Sequence, residues 1–492
     1  MTTATRAKKL HISPGELFIG GRWRPASNAA TAPTVNPADR SEIVQIAQAT
    51  TDDLDAAVNA ARSAFDNGRG PWPAKDVHER ARILIRIAEL IERDADEIAY
   101  RETVDMGKPI RFSRNVDVPM AAQIFRYFAG VGTQLDGVTR HAATPTLNYT
   151  VREPLGVVAA ITPFNFPLLL SLTKIAPALA AGNTVVHKPS PATPLSALKI
   201  AELAAEAGLP DGTLNVITGD GVILGEALAR HPGVNKIAFT GSTSVGRSII
   251  RNSADNLTKL TMELGGKSPN IIFADAYFDE AVENAFFGVF YNKGEICTAG
   301  SRLLVERPVY DEVARRLVER ASSAHPGDPL DPNTFFGPLA HQAQFDKVSS
   351  YVEIGKSEGA TLAAGGGPDR RRHGLYYPPT IFTDVDNKMR IAQEEIFGPV
   401  LCVIPFDTVE DAIRIANDTP YGLASGVHTR DIKKALRVAH SLKAGTCWIN
   451  TYNQFDTTTP FGGMKDSGFG RESGTEVMEN YTQVKSIWVD LA

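Results

Sequence analysis

In the first third of the chain, apolar residues recur at helical spacing. Ala56, Ala60 and Ala64 share one face, and Ile83, Ile87, Leu90 and Ile91 share another. This pattern predicts helices between Thr51 and Gly107, with Thr51 or Asp52 as the first cap, and a further helix over Val116–Gly130. Residues 1–50 read as irregular, with Gly20-Gly21, Pro33 and Pro37 marking turns. In residues 133–154 the rhythm changes to alternation through Leu147, Tyr149 and Val151, which predicts extended chain.

From Gly156 strands and helices take turns. The expected strands are Val157–Ile161, Thr184–His187, Thr213–Ile217 and Lys236–Phe239. Between them lie expected helices over Leu168–Ala181, Pro194–Ala207 and Val222–Arg230. The second of these has Thr193 as N-cap, Pro194 in its first turn and Gly208 just past its end. A second alternating block has strands near Asn270–Phe273, Leu303–Val305, Val400–Pro405, Ser425–Thr429 and Thr446–Asn450. Alternation of this kind implies an α/β fold: parallel sheets covered by helices, with ligands at the strands' carboxyl ends. The tail, Val484–Asp490, alternates like an edge strand, which invites pairing with another subunit.

A length of 492 residues calls for two or three domains. A net charge of −5 argues against nucleic acid as the main partner, and the Arg370-Arg371-Arg372 run between glycines reads as a solvated loop tip. Three cysteines make neither a disulfide framework nor a zinc site, so no metal is expected and a reducing compartment fits. The first residues, M-T-T-A-T-R-A-K-K, have no apolar signal core, and no stretch is long enough to span a bilayer. Together these features lead us to expect a cytoplasmic protein.

Chemistry concentrates around Cys297, in F-Y-N-K-G-E-I-C-T-A-G-S-R. Gly294 before it and Ala299-Gly300 after it leave room for a substrate, and nearby N–H groups can stabilise a thiolate. A carboxylate, Glu263, lies upstream in M-E-L-G-G-K-S-P, next to Gly265-Gly266, which reads as a flexible hinge. F-T-G-S-T-S-V-G follows the Lys236–Phe239 strand. There Gly241 and Gly246 bracket Ser242 at an expected helix N-terminus, a natural seat for phosphate. Lys188, in H-K-P-S-P, points into the same crevice. Asn165, in T-P-F-N-F-P, precedes an expected helix start at Pro167 and can donate an amide N–H to an oxyanion. In Q-E-E-I-F-G-P, Glu395 and Phe397 pair a carboxylate with an aromatic ring, a combination suited to a ribose and a planar base. Each of these has an ordinary structural reading alone: a buried thiol, a surface lysine, a turn asparagine, a charged strand flank.

Taken in order and at these separations, the motifs resemble the aldehyde dehydrogenase superfamily. The likeness rests on F-N-F-P, K-P-S-P-A-T-P, F-T-G-S-T-S-V-G, M-E-L-G-G-K-S-P, G-E-I-C-T-A-G-S-R, E-E-I-F-G-P and P-F-G-G-M-K-D-S-G, and it runs from about Phe18 to the C-terminus. It implies a Rossmann-like NAD(P)-binding domain (1–131 and 155–265), an α/β catalytic domain (266–466) and a small β oligomerisation element (132–154 and 467–492). It also implies a homodimer or homotetramer.

By the same resemblance, Cys297 is the nucleophile, Glu263 activates water and Asn165 holds the oxyanion. Lys188, Glu395, Ser242, Gly241, Gly246, Phe397 and Phe164 bind NAD, with NADP possible. Met120, Phe166, Thr173, Ile296, Thr298 and Phe455 line the tunnel for a small aldehyde. Three departures stand out. Pro191 occupies a position where NAD-preferring members often carry glutamate, so NADP is not excluded. Phe164 replaces a usual tryptophan, and Glu295 replaces a frequent glutamine. Thr173 stands where many relatives carry tryptophan, which implies a wider tunnel and medium-chain or aromatic substrates. Two alternatives are a CoA-acylating aldehyde dehydrogenase, against which Glu263 argues, and a crystallin-like structural protein, which would be expected to lose Cys297 or Glu263.

Overall fold

Thr50, rather than Thr51 or Asp52, caps the first helix, Thr51–Phe65, in the computed structural model, which describes residues 15–491. Its hydroxyl accepts from the Asp53 N–H at 3.3 Å, and the Asp53 carboxylate accepts from the Thr50 N–H at 3.0 Å. This reciprocal pair satisfies two donors that the helix start would otherwise strand. The next helices run Val77–Arg93, Ala95–Met106 and Val118–Gly132.

The segment read as irregular forms four short strands within its described part: Leu17–Ile19, Arg22–Arg24, Thr31–Val35 and Glu42–Ala47. Gly20 and Gly21, at φ 62° and 77°, form the two-residue turn of the first hairpin, which only left-handed residues close well. Strands of three residues are too short to show alternation, hence the different expectation. Residues 1–14 lie outside the described part.

Two large sheets carry the fold. The first has eight strands in the order Gly468–Phe469, Lys259–Glu263, Lys236–Thr240, Val157–Ile161, Thr184–Lys188, Leu214–Val216, Leu17–Ile19 and Arg22–Arg24. Its five middle strands are parallel. Strand order reverses between Val157–Ile161 and Lys236–Thr240, which opens a crevice at their carboxyl ends. The second sheet has seven strands: Thr361–Ala364, Thr380–Thr383, Val400–Phe406, Arg302–Glu306, Pro269–Ile272, Ala424–His428 and Thr446–Ile449. Lys259–Glu263, Thr361–Ala364 and Thr380–Thr383 are strands that the apolar pattern did not mark. A third sheet pairs Thr482–Asp490 with Thr146–Pro154 over nine positions, with Thr139–Arg140 beyond.

Helices cover both faces of the first sheet. Pro167–Ala180 starts at its proline, as expected. Leu195–Glu206 is not capped by Thr193. Its first N–H is taken in trans by the buried Asp105 carboxylate, 2.9 Å from the Leu195 nitrogen. Glu102, also buried, receives the Leu168 N–H at 3.3 Å. Each carboxylate fastens a helix start onto Ala95–Met106.

The segment between the two sheets positions the site. Glu263 ends a strand of the first sheet, and Pro269 begins one of the second. Pro269 pairs with Arg302, five residues past Cys297. The carboxyl end of one sheet therefore meets the amino end of the other, with Glu263 and Cys297 at the junction. Among the described residues no helix is long and apolar enough to cross a membrane, and no group of His, Cys, Asp or Glu could hold a metal.

Candidate active site

Cys297 follows an unusual turn. Asn292, Lys293 and Gly294 all take left-handed conformations, at φ 46°, 63° and 74°. A side chain at Gly294 would lie 2.2 Å from the Gly398 carbonyl, so the turn presses against the loop that carries Phe397. Beyond the thiol, Tyr452 donates from Oη to the Thr298 carbonyl at 2.9 Å. Thr298, fully buried, donates to Asn453 Oδ1 at 2.9 Å, so its hydroxyl is committed away from any open tunnel.

The thiol is half-buried and its pKa is pushed up to about 12. Burial is the main cause. The Glu395 and then the Glu263 carboxylates add to it, and the Thr298 and Cys297 N–H groups oppose it. Burial thus favours the protonated thiol at neutral pH.

Glu263 is buried, and neither carboxyl oxygen has a hydrogen-bond partner among the described residues. Gly462 makes room for it: a Cβ there would lie 2.8 Å from Glu263 Oε1. Burial first, then the Glu472 charge, hold its carboxyl well above the usual carboxylate range, while Lys174 and Arg471 pull the other way. An uncommitted buried carboxyl beside a thiol is suited to taking a proton from water.

Gly265-Gly266 is not a hinge but a place of close approach. A Cβ on Gly265 would meet the Glu395 carboxylate at 2.3 Å, and one on Gly266 the Cys297 carbonyl at 2.4 Å. The Gly266 N–H donates to Glu395 Oε1 at 3.1 Å. The glycines thus bring Glu395 and Cys297 onto one strip of backbone.

Asn165 donates from Nδ2 to the Glu295 carbonyl at 3.0 Å. That uses one amide N–H and leaves the second. Its own carbonyl accepts from Asn292 Nδ2 at 2.8 Å.

The crevice of the first sheet fits a dinucleotide. Ser242 caps the helix Thr243–Asn252, and its exposed end presents N–H groups to an anion. Lys188 is buried and its ammonium donates to the Pro189 carbonyl at 3.1 Å, which leaves N–H capacity for a ligand. Burial draws its pKa down to about 8, and Asp220 partly offsets this. The two glycines also serve packing, since Cβ atoms on Gly241 and Gly246 would strike Phe239 and Leu264. Phe164 and Phe397 meet edge to face at 5.6 Å. Phe397, left-handed at φ 61°, is held by Gln344, which donates to its carbonyl at 2.6 Å.

Met120 and Phe166 pack half-buried on the core beneath this region, Ile296 is buried and Phe455 is exposed. Thr173 makes a contact that its size alone did not suggest: its hydroxyl donates to Glu472 Oε2 at 3.0 Å. Lys174 pairs with the other Glu472 oxygen and reaches Thr240 Oγ1 at 2.6 Å. Lys174, Gln344, Asn292, Lys293 and Glu472 were not singled out from the sequence. Asn292 and Lys293 lie inside the cysteine motif, but nothing in its local pattern marks their roles, and Lys174, Gln344 and Glu472 reach the junction only through the fold.

The chain is similar to known proteins over nearly its whole length. The aldehyde dehydrogenase family model matches residues 23–487. An aldehyde dehydrogenase of Aspergillus niger is 48% identical over 478 residues, 96% of this chain and 95% of that protein. Among solved structures, an aldehyde dehydrogenase from Bacillus cereus with NAD+ matches at a TM-score of 0.96 with 44% identity, covering 100% of this chain and 99% of its own. The P. syringae indole-3-acetaldehyde dehydrogenase with NAD+ and IAA does so at 0.96 and 44%, over 99% of both chains.

Proposed function

The chain belongs to the aldehyde dehydrogenase family, and on that premise we propose that it oxidises medium-chain or aromatic aldehydes through a Cys297 thioester that Glu263-activated water hydrolyses. It is an NAD(P)-dependent aldehyde dehydrogenase, and NAD is its coenzyme. The observation that supports the mechanism is a buried Glu263 carboxyl, without a hydrogen-bond partner among the described residues, whose charge is felt at the Cys297 thiol.

Lys188, Ser242, Gly241, Gly246, Glu395, Phe397 and Phe164 would hold NAD+ in the crevice, where it would supply the hydride acceptor. The residues of the chain do the rest. Cys297 loses its proton and its sulfur attacks the aldehyde carbon. The free Asn165 N–H and the Cys297 backbone N–H hold the oxyanion that forms. After hydride leaves the same carbon, a thioester remains on Cys297. Glu263 takes a proton from water, whose oxygen attacks the thioester and releases a carboxylate and the thiol. The sum is aldehyde, NAD+ and water giving carboxylate, NADH and two protons.

The substrate class rests on the apolar Met120, Phe166, Ile296 and Phe455 and on the small Thr173, with no cation among them to anchor a second carboxylate. Each added methylene buried there gains about 0.8 kcal/mol. The domains are taken as 1–131 with 155–265, 266–466, and 132–154 with 467–492. Trp488 and Val484, both exposed on the edge strand Thr482–Asp490, support assembly into a dimer or tetramer. Three free cysteines suit a reducing compartment such as the cytoplasm.

NADH formation with NAD+ and NADP+ over aliphatic, aromatic and carboxy-aldehydes tests the reading. Preference for succinate semialdehyde, or no turnover of any aldehyde, would overturn it.

A further inference from the structure

We infer that the buried ion pair Lys293–Glu295 is a positioning device for the oxyanion amide of Asn165. This inference rests on the proposed roles of Asn165 and Cys297. The pair closes at 3.0 Å with both side chains essentially free of solvent. Each partner is also tied to a different element. Lys293 Nζ donates to the Met106 carbonyl, at the end of the helix Ala95–Met106, at 2.8 Å. Glu295 Oε1 accepts the Ala340 N–H at 3.0 Å. The left-handed turn before the nucleophile is therefore held from two sides.

The pair also reaches the catalytic amide. The Glu295 carbonyl accepts one Asn165 N–H at 3.0 Å, and Asn292 Nδ2 bridges the Glu295 and Asn165 carbonyls at 3.3 Å and 2.8 Å. With the Glu295 backbone fixed, its carbonyl takes up one Asn165 side-chain N–H, and Asn292 ties that carbonyl to the Asn165 main chain, which restricts where the other N–H points. A left-handed lysine in the turn carries a conformational cost, and such residues persist where their surroundings over-determine them. Lys293 and Glu295 supply that constraint beside the reacting sulfur. Where relatives carry a neutral glutamine, Glu295 brings a charge that Lys293 matches at 3.0 Å.

A buried ion pair has a distinctive experimental signature. Removing one partner strands the other, whereas replacing both with neutral residues removes the conflict. The test compares Glu295→Gln, Lys293→Gln and the double variant by NADH burst and steady-state kinetics well below each melting temperature. Each single variant should lose kcat by roughly tenfold to a hundredfold with KM nearly unchanged, as expected when an oxyanion donor is misplaced. The double variant should recover to within about tenfold of the parent. If a single variant does not fold, the recovery of the double still decides. A double variant that is unfolded or as slow as the singles overturns the inference, as do single variants with normal kcat and only a lowered melting temperature. Cys297→Ser and Asn165→Ala run alongside. If those keep turnover the catalytic reading itself fails; if they lose it while Glu295→Gln does not, this inference alone fails.

Discussion

Thr173 and Glu472 lie almost three hundred positions apart, yet the Thr173 hydroxyl donates to Glu472 Oε2 at 3.0 Å while Lys174 holds the other oxygen. Glu472 in turn raises the Glu263 pKa. Thr173 is therefore linked through Glu472 to Glu263, the carboxylate proposed to activate water. Thr173→Val keeps the shape and removes the donor. Stability should fall by about 1–3 kcal/mol in urea unfolding, with the substrate profile unchanged. Unchanged stability with an altered chain-length preference would show that the side chain is only a wall.

Cys297→Ser should abolish nearly all turnover and leave the fold intact, because a hydroxyl is far harder to ionise than a thiol. Circular dichroism and NADH formation check it. Wild-type turnover in the variant would refute the assignment.

Glu263→Gln should let hydride transfer proceed and stall hydrolysis, seen as an NADH burst of about one per site followed by a slow phase. The raised pKa sets the sign of the pH effect. A protonated Glu263 cannot accept a proton, so steady-state kcat should fall as pH drops through a value above the usual carboxylate range. That acid limb should vanish in the variant. Equal loss of burst and steady state would point instead to thiol activation.

With the Cys297 pKa pushed up to about 12, iodoacetamide should label the free enzyme slowly at neutral pH, rising about tenfold per pH unit. Cys402 is pushed up to about 11 by burial, so labelling must be assigned by peptide mass. NAD+, whose ring is cationic, should speed labelling of Cys297 at neutral pH. A fast, pH-independent reaction without coenzyme would contradict the protonated thiol.

Pro191 places no charge near a 2′-phosphate, so NADP+ should be used alongside NAD+. Pro191→Glu should raise the NAD+/NADP+ ratio of kcat/KM by about tenfold for each 1.4 kcal/mol of added repulsion. A parent enzyme that prefers NAD+ several thousandfold would remove the argument.

The parallel sheets and the helix starts at Pro167 and Thr243 were legible because strand, turn and helix signals there are local. The strand Lys259–Glu263 was not. It begins with an exposed lysine and ends on a buried carboxylate, so its apolar pattern is too short to stand out. The Leu195–Glu206 cap was misread because Asp105 supplies it from another helix, which no neighbouring residue reveals. Site residues inside motifs could be named. Thr173 was named for its size, but its partner Glu472 lies near the other end of the chain, and only folding brings them together.

That separation bears on how the enzyme comes into being. Gly468 pairs with Glu263, the Tyr481 carbonyl takes the Asn183 amide, Glu472 neutralises Lys174, and Thr482–Asp490 completes the ribbon on Thr146–Pro154. All four contacts join residues 468–490 to residues 146–263. Without residues 468–490, Lys174 would lie buried without its counter-charge and the Thr146–Pro154 edge would stay open. A chain cut before Gly468 should accordingly be inactive and prone to association.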